Sequence, residues 1–202
     1  MPGTVVTLYI DYKSPYAFVA KAGAYALEED YDVSLRWLPY TLNIPSYLGS
    51  VEDRSPHQWR RVKYSYMDAR RFANKQGLTL RGPQKIYDTR LAGIGMLYAQ
   101  RAGVFRRYND IVFERFWKRE LDIESLDVLS AVLAEAGADP SGFRAFAEGP
   151  GGEEHDRIRV EAEEAGVFGV PMFVVEGELF WGGDRLPQVR EKLAEMGLAR
   201  MR

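Results

Sequence analysis

Ser14-Pro15-Tyr16-Ala17 is the part of this chain whose residue types and spacing most readily do chemistry. It follows an apolar run, Val5-Val6-Thr7-Leu8-Tyr9-Ile10, and the turn Asp11-Tyr12-Lys13, and it opens an alanine-rich stretch with Ala17, Ala20, Ala22, Ala24 and Ala26. Serine is a favoured N-cap, and proline fits the first helical position, where a missing N–H costs nothing. The pattern predicts a strand, a turn and a helix from Ser14 to about Glu29. The Ser14 hydroxyl then sits beside unpaired backbone N–H groups at the positive end of the helix dipole. Such a place favours an anion, and above all a thiolate. The chain has no cysteine, so a thiolate has to arrive on a ligand. The competing reading of Ser14 is a helix cap alone, and the two are compatible because a capping hydroxyl can turn its proton toward a ligand.

Composition sets the bounds. The 202 residues suffice for one well-cored domain or for a domain with a large insertion. A formal charge of −2 gives no global field favouring nucleic acid or a membrane surface. Without cysteine there are no disulfides, no intrinsic thiol redox chemistry and no thiolate-bound metal. The two histidines, His57 and His155, are far apart in sequence, which argues against a histidine metal site. No secretory signal is visible, and no apolar run approaches the ~18 residues of a membrane span. The expectation is a soluble cytoplasmic protein with a small-molecule partner.

The elements that must position Ser14 follow from periodicity. Strands are predicted at Thr4 to Ile10 and at Val33 to Leu38, the latter with Val33, Leu35 and Trp37 alternating against Ser34, Arg36 and Leu38. A crossover helix between them makes these strands parallel. Two further strands, Met172 to Val175 and Glu178 to Trp181, flank a hairpin-like Glu176-Gly177, and a last helix runs from about Leu186 to Glu195 with Leu186, Val189, Leu193 and Met196 on one face. The middle is helical. Trp59, Val62, Tyr66, Ala69 and Ala73 make one stripe; Tyr108, Val112, Phe116 and Arg119 lie on another helix; Ser125 caps a third that ends at Gly137; Asp139-Pro140 starts a short fourth. Gly149-Pro150-Gly151-Gly152 reads as the exit loop of this region. The fold class expected is α/β, a thioredoxin-like fold with an inserted all-helical subdomain: one domain over 1–202, with the insertion at about 45–150.

Near the C-terminus stand Val167-Phe168-Gly169-Val170-Pro171-Met172-Phe173 and Phe180-Trp181-Gly182-Gly183-Asp184-Arg185-Leu186. With Ser14 and Ala17 at the two cysteine positions of a Cys-Pro-x-Cys motif, the chain resembles the 2-hydroxychromene-2-carboxylate isomerases and kappa-class glutathione transferases, which share the DsbA-like thioredoxin fold. The resemblance covers nearly the whole chain and is carried by its two ends. It implies that glutathione is the cofactor and that Ser14 is catalytic, donating a hydrogen bond to the glutathione sulfur. It implies a cis bond at Val170-Pro171, with the Val170 backbone pairing with the tripeptide as a short added strand. Gly182, Gly183, Asp184 and Arg185 then receive the γ-glutamyl end. The local alternatives are a strand entered through proline, a turn capped by Asp184, and a structural ion pair for Arg185.

Arg54, Arg60, Arg61, Lys63, Arg70 and Arg71 form the densest positive stretch, either a solvated helix face or a docking site for carboxylates. Tyr87, Thr89 and Arg90 match the isomerases' substrate-lining segment, which ends in Ser-Arg. The substrate-binding candidates are therefore Tyr87, Arg90, Arg61 and Asn43. The chain departs from the isomerases in one region: residues 42–55 contain no lysine, and the asparagine falls early, at Asn43. The resemblance implies a glutathione-dependent isomerase acting on an aromatic 2-oxo acid or its cyclic hemiketal, assembled as a homodimer. The alternatives are a kappa-like transferase and a non-catalytic peptide-binding module of the same fold.

Overall fold

The computed structural model describes residues 3–200; the outermost residues of the expected 1–202 domain, 1–2 and 201–202, lie outside the described residues. Strand β1 (Thr4–Ile10), helix α1 (Pro15–Asp30) and strand β2 (Val33–Pro39) open the chain. Seven helices follow: α2 (Ile44–Leu48), α3 (Pro56–Lys75), α4 (Arg90–Arg101), α5 (Phe105–Lys118), α6 (Leu126–Ala136), α7 (Phe143–Glu148) and α8 (Pro150–Glu164). Strands β3 (Met172–Val175) and β4 (Glu178–Trp181), a 3-10 turn (Gly183–Arg185) and α9 (Leu186–Glu195) close it. No helix among the described residues is long and apolar enough to cross a membrane.

The four strands form one sheet in the order β2-β1-β3-β4, with β1 parallel to β2, antiparallel to β3, and β3 antiparallel to β4. This is the strand arrangement of the thioredoxin-like α/β fold predicted from the sequence. The central strand explains its own composition. Val6, Leu8 and Ile10 enter a core with Phe18, Leu27, Phe173, Val189 and Leu193. Tyr9, on the opposite face, joins Leu38, Leu97, Ile158, Val170 and Met172. A strand covered on both faces reads as a continuous apolar run rather than a clean alternation. The β3–β4 turn uses φ values of 49° at Glu176 and 81° at Gly177, the left-handed geometry that suits a two-residue hairpin.

The Ser125 signal is met, but Asp139-Pro140 does not start the short fourth helix: Asp139 accepts from the Ser141 N–H at 2.9 Å in a turn, and α7 begins only at Phe143, after Gly142. Ser125 accepts from the Val128 N–H at 3.4 Å, and Gly137 ends α6 in the left-handed region. Tyr108, Val112 and Phe116 are buried, whereas Arg119 lies one residue past α5 as its cap, with Nε donating to the Gly82 carbonyl at 2.8 Å.

The expected exit loop is also overturned. Gly149-Pro150-Gly151-Gly152 is not an exit loop: Gly149 joins α7 directly to α8, and Pro150 starts α8. The glycines serve close packing at this joint. A Cβ at Gly151 would lie 2.3 Å from Cε1 of the Phe146 ring, and one at Gly152 would lie 3.0 Å from the Ala147 carbonyl oxygen. Gly151→Ala separates packing from propensity. Alanine gains up to ~1 kcal/mol in an ordinary helix interior, but overpacking against a ring costs about 1–3 kcal/mol. The expected outcome is net destabilisation, read as a lower urea midpoint at unchanged slope.

Candidate active site

The site is built where α1 begins. Ser14 precedes α1 in extended backbone, with Pro15 in the first turn, and its Oγ accepts from the Ala17 N–H at 3.2 Å. The same hydroxyl donates to the Val170 carbonyl at 3.4 Å. That second contact is long for an O–H···O bond, whose usual length is about 2.7–2.8 Å, so the proton is weakly committed. Val170-Pro171 is a cis peptide, and ladder pairing of β3 begins only at Met172. The helix start and the cis-proline loop, 156 residues apart in sequence, therefore face each other across the Ser14 hydroxyl.

Two close approaches bring the Gly182–Arg185 turn against the same helix. A Cβ at Gly183 would lie 2.9 Å from the Ala20 Cβ, and one at Gly23 would lie 2.7 Å from Leu186 Cδ1. The Gly182 N–H donates to the Pro171 carbonyl at 2.9 Å. Gly182 has φ 107°, which favours glycine at that position. Asp184 does not cap α9, which has no side-chain cap; its carboxylate instead pairs with Arg185 Nη1 at 3.0 Å, both side chains being exposed. The capping alternative for Asp184 is thereby corrected.

Ser14, Val170, Gly182, Gly183, Asp184 and Arg185 all line one cleft of about 1680 Å³; Pro171 stands behind it, holding the Gly182 turn. The facing wall is α3 and the 82–87 segment, which contribute Arg61, Lys63, Tyr64, Arg70, Phe72 and Tyr87. Arg54 also lines the cleft and packs over the Trp59 ring, 5.0 Å from its centroid. Part of the basic stretch thus faces the cleft rather than bulk solvent alone. At the mouth, Phe168 and Trp181 form an exposed edge-to-face pair with centroids 4.9 Å apart. Tyr16 reaches from α1 to α3, its hydroxyl donating to Asp68 Oδ2 at 3.2 Å. Burial first, then the Asp68 charge, pushes its pKa up to about 12, so Tyr16 stays a neutral proton donor at ordinary pH.

Asn43 and Arg90 lie elsewhere. With Tyr87 they line a second hollow of about 470 Å³, which shares Lys13, Leu42, Ile86 and Tyr87 with the main cleft. Arg90 clamps Asp156, with Nη2 at 2.9 Å and Nε at 3.3 Å from its two oxygens, and donates to the Gly152 carbonyl at 3.1 Å. Sequence reasoning missed two groups here. The first is Asp11, 4% exposed, which accepts from the N–H groups of Lys13 (3.2 Å) and Leu42 (2.7 Å) and from the Thr89 hydroxyl, and pairs with Lys13 Nζ at 3.3 Å. The second is His155, 2% exposed, with Nε2 2.9 Å from Thr41 Oγ1 and Nδ1 3.3 Å from Asp156. The His155-Asp156 adjacency was a faint signal, because the residues that complete the group lie 114 and 66 positions away.

The chain as a whole is similar to known proteins. The model of the DSBA-like thioredoxin domain matches residues 5–194. The chain belongs to the DSBA-like thioredoxin-domain family. A 2-hydroxychromene-2-carboxylate isomerase of Pseudomonas putida is 30% identical over 186 residues, covering 90% of each chain. Another, of Sphingobium xenophagum, is 25% identical over 187 residues, covering 90% of this chain and 93% of that one. A solved structure of a 2-hydroxychromene-2-carboxylate isomerase agrees with a TM-score of 0.77 at 28% identity, covering 95% of each chain. Within its family the chain therefore stands among the homologues of the 2-hydroxychromene-2-carboxylate isomerases.

The Asp11–Lys13 pair supplies a test of what holds the site together. Asp11→Ala leaves the Lys13 ammonium buried without its counter-charge, a loss of about 3–5 kcal/mol for comparable pairs. The expected result is a large fall in unfolding free energy in urea. A loss below about 1 kcal/mol would be that of an exposed pair and would show that Lys13 is rehydrated.

Proposed function

We propose that the protein is a glutathione-dependent isomerase acting on an aromatic 2-oxo acid or its cyclic hemiketal. The observation that carries this reading is the Ser14 hydroxyl, 4% exposed at the start of α1 and loosely held by Val170, in a chain with no thiol of its own. The residues present fit glutathione. The cleft runs from Ser14 past the unladdered Val170 backbone to a turn carrying one carboxylate and one guanidinium, the charges complementary to an α-amino acid end. Bound glutathione would supply a thiolate nucleophile that adds to the substrate and leaves again after bond rotation.

The chain's contribution is to hold that sulfur ionised and aimed. A free thiol of pKa about 8.5 is only about 3% ionised at pH 7. A hydrogen bond to a charged group contributes ~1.5–3 kcal/mol, equivalent to about one to two pKa units. Ser14 can give that bond by releasing its long contact to Val170, while the Ala17 N–H continues to donate to Oγ and sharpens its proton. Asp184 would pair with the ligand ammonium and Arg185 with its carboxylate, at the cost of an exposed ion pair that contributes little. Arg61 and the aromatic rings of α3 stand on the opposite wall, where an aromatic carboxylate would lie. The isomerases of Pseudomonas putida and Sphingobium xenophagum lend this reading its substrate class.

Ser14→Ala tests it. Glutathione should still bind, with its thiol pKa raised and turnover lowered by tens-fold, following the ~1.5–3 kcal/mol of the lost bond. Thiolate absorbance near 240 nm in the bound state is the direct readout; absorbance unchanged by the substitution would remove Ser14 from the mechanism. Glutathione should be regenerated at each turnover, whereas stoichiometric consumption would mark a transferase.

A further inference from the structure

His155 is nearly fully buried, ionisable and outside the chemistry described so far, yet its surroundings are organised around it. It lies on α8, and its ring packs into the space left by Gly93 on α4, where a Cβ would come within 3.3 Å of Cδ2 and 3.5 Å of Nε2. Its Nδ1 is 3.3 Å from Asp156 Oδ1, and the Asp156 carboxylate is fixed by the fork of Arg90. An ionised carboxylate only accepts hydrogen bonds, so Nδ1 carries the ring proton and Nε2 presents a lone pair. The group 2.9 Å from that lone pair is the Thr41 hydroxyl, which must donate to it. Thr41 is half-buried and lines the second hollow, the one joined to the main cleft through Lys13, Leu42, Ile86 and Tyr87. A hydroxyl backed by imidazole and carboxylate thus belongs to the lining of a cavity that shares four residues with the Ser14 cleft.

We propose that Thr41, His155 and Asp156 form a proton relay serving the ring-opening half of the reaction, with Thr41 touching the substrate and His155 acting through it. The inference rests on the function proposed above and assigns its acid–base step. The hemiketal O–H gives its proton to Thr41 Oγ1 as the Thr41 proton passes to His155 Nε2. The hemiketal oxygen becomes a carbonyl, and the ring C–O bond breaks with its electron pair remaining on the aryl oxygen. The imidazolium, its Nδ1–H held by Asp156, returns a proton through Thr41 to the phenolate. No redox equivalent enters, and the relay ends as it began.

The charges around the ring suit this role. Asp156 on α8 and Asp11 after β1 favour imidazolium formation, Arg90 on α4 opposes it, and burial, the largest influence, holds the pKa below the usual histidine value. Lys13, Tyr87, Asp88 and Arg159 complete the ionisable lining of the hollow. The imidazole is therefore a neutral base at pH 7. The acid limb of kcat/KM should fall with a midpoint below the ordinary histidine value of about 6.5, because protonation fills the Nε2 lone pair.

Four variants and one spectrum test the relay. Thr41→Val keeps the shape and removes the hydroxyl; Thr41→Ser restores it. Thr41→Val and His155→Gln should each lower kcat by about 100-fold, in the range of general acid–base catalysis, with the double variant no slower than the slower single and Thr41→Ser near wild type. His155→Gln should also lose the acid limb. The 240 nm absorbance of bound glutathione should be unchanged in all four, so its absence from the wild type would sink the glutathione reading and leave the relay to be judged on the ring itself. That judgement comes from ¹⁵N–¹H spectra of the imidazole in the free protein at pH 7. An Nδ1–H tautomer whose Nε2 resonance moves in Thr41→Val supports the relay. An Nε2–H tautomer, or a Thr41→Val enzyme with wild-type kcat and pH profile, would overturn it.

Discussion

Asp11 is the residue on which the arrangement of the site depends. Its carboxylate gathers the turn after β1, the chain leaving β2 and the start of α4, through Lys13, Leu42 and Thr89. These segments adjoin both the cleft beside Ser14 and the smaller hollow beside His155. A buried carboxylate is tolerable only when its oxygens are saturated with donors and its charge is compensated. The need for saturation makes each of the three segments a fixed distance from the others. Lys13, which borders both spaces, is held at their junction by the same requirement.

What could be read in the sequence was whatever local chemistry decides. A serine and a proline at a helix start, a hairpin turn with glycine and a serine-capped middle helix each report on a few neighbouring residues, and the strand and helix limits at both ends of the chain follow from them. The Gly149–Gly152 run misled because glycine speaks for flexibility when neighbours alone are considered. Here the deciding neighbour is the Phe146 ring, and the glycines are small rather than supple. Asp184 misled in the same way: its type suits a cap, yet it lies inside the 3-10 turn Gly183–Arg185, where its carboxylate pairs with Arg185. The Thr41–His155–Asp156 group was hidden for another reason. Each member is unremarkable in its own segment, and only the packing of α8 against α4 and β2 makes them one cluster.

The contrast between the two hydroxyls of this region is instructive. Ser14 is oriented by a backbone N–H and keeps its proton for whatever enters the cleft, since its bond to Val170 is long. Thr41, in the lining of the hollow, has committed its proton to an imidazole. In the function and relay proposed above, one would donate to developing negative charge and the other would accept protons, although both are ordinary alcohols. Their difference lies in the partner behind each oxygen.

The joint between α7 and α8 has a consequence for inheritance. His155 stands four positions after Gly151, about one helical turn, so the seat of the Phe146 ring at the head of α8 also fixes the bearing of the imidazole. A side chain at 146 of different girth would rotate or slide that helix and point the ring away from Thr41, although position 146 touches neither. Positions 146, 151 and 155 should therefore drift together among descendants of this chain, and a lineage that exchanges the phenylalanine should be found to have recut the glycine or surrendered the histidine.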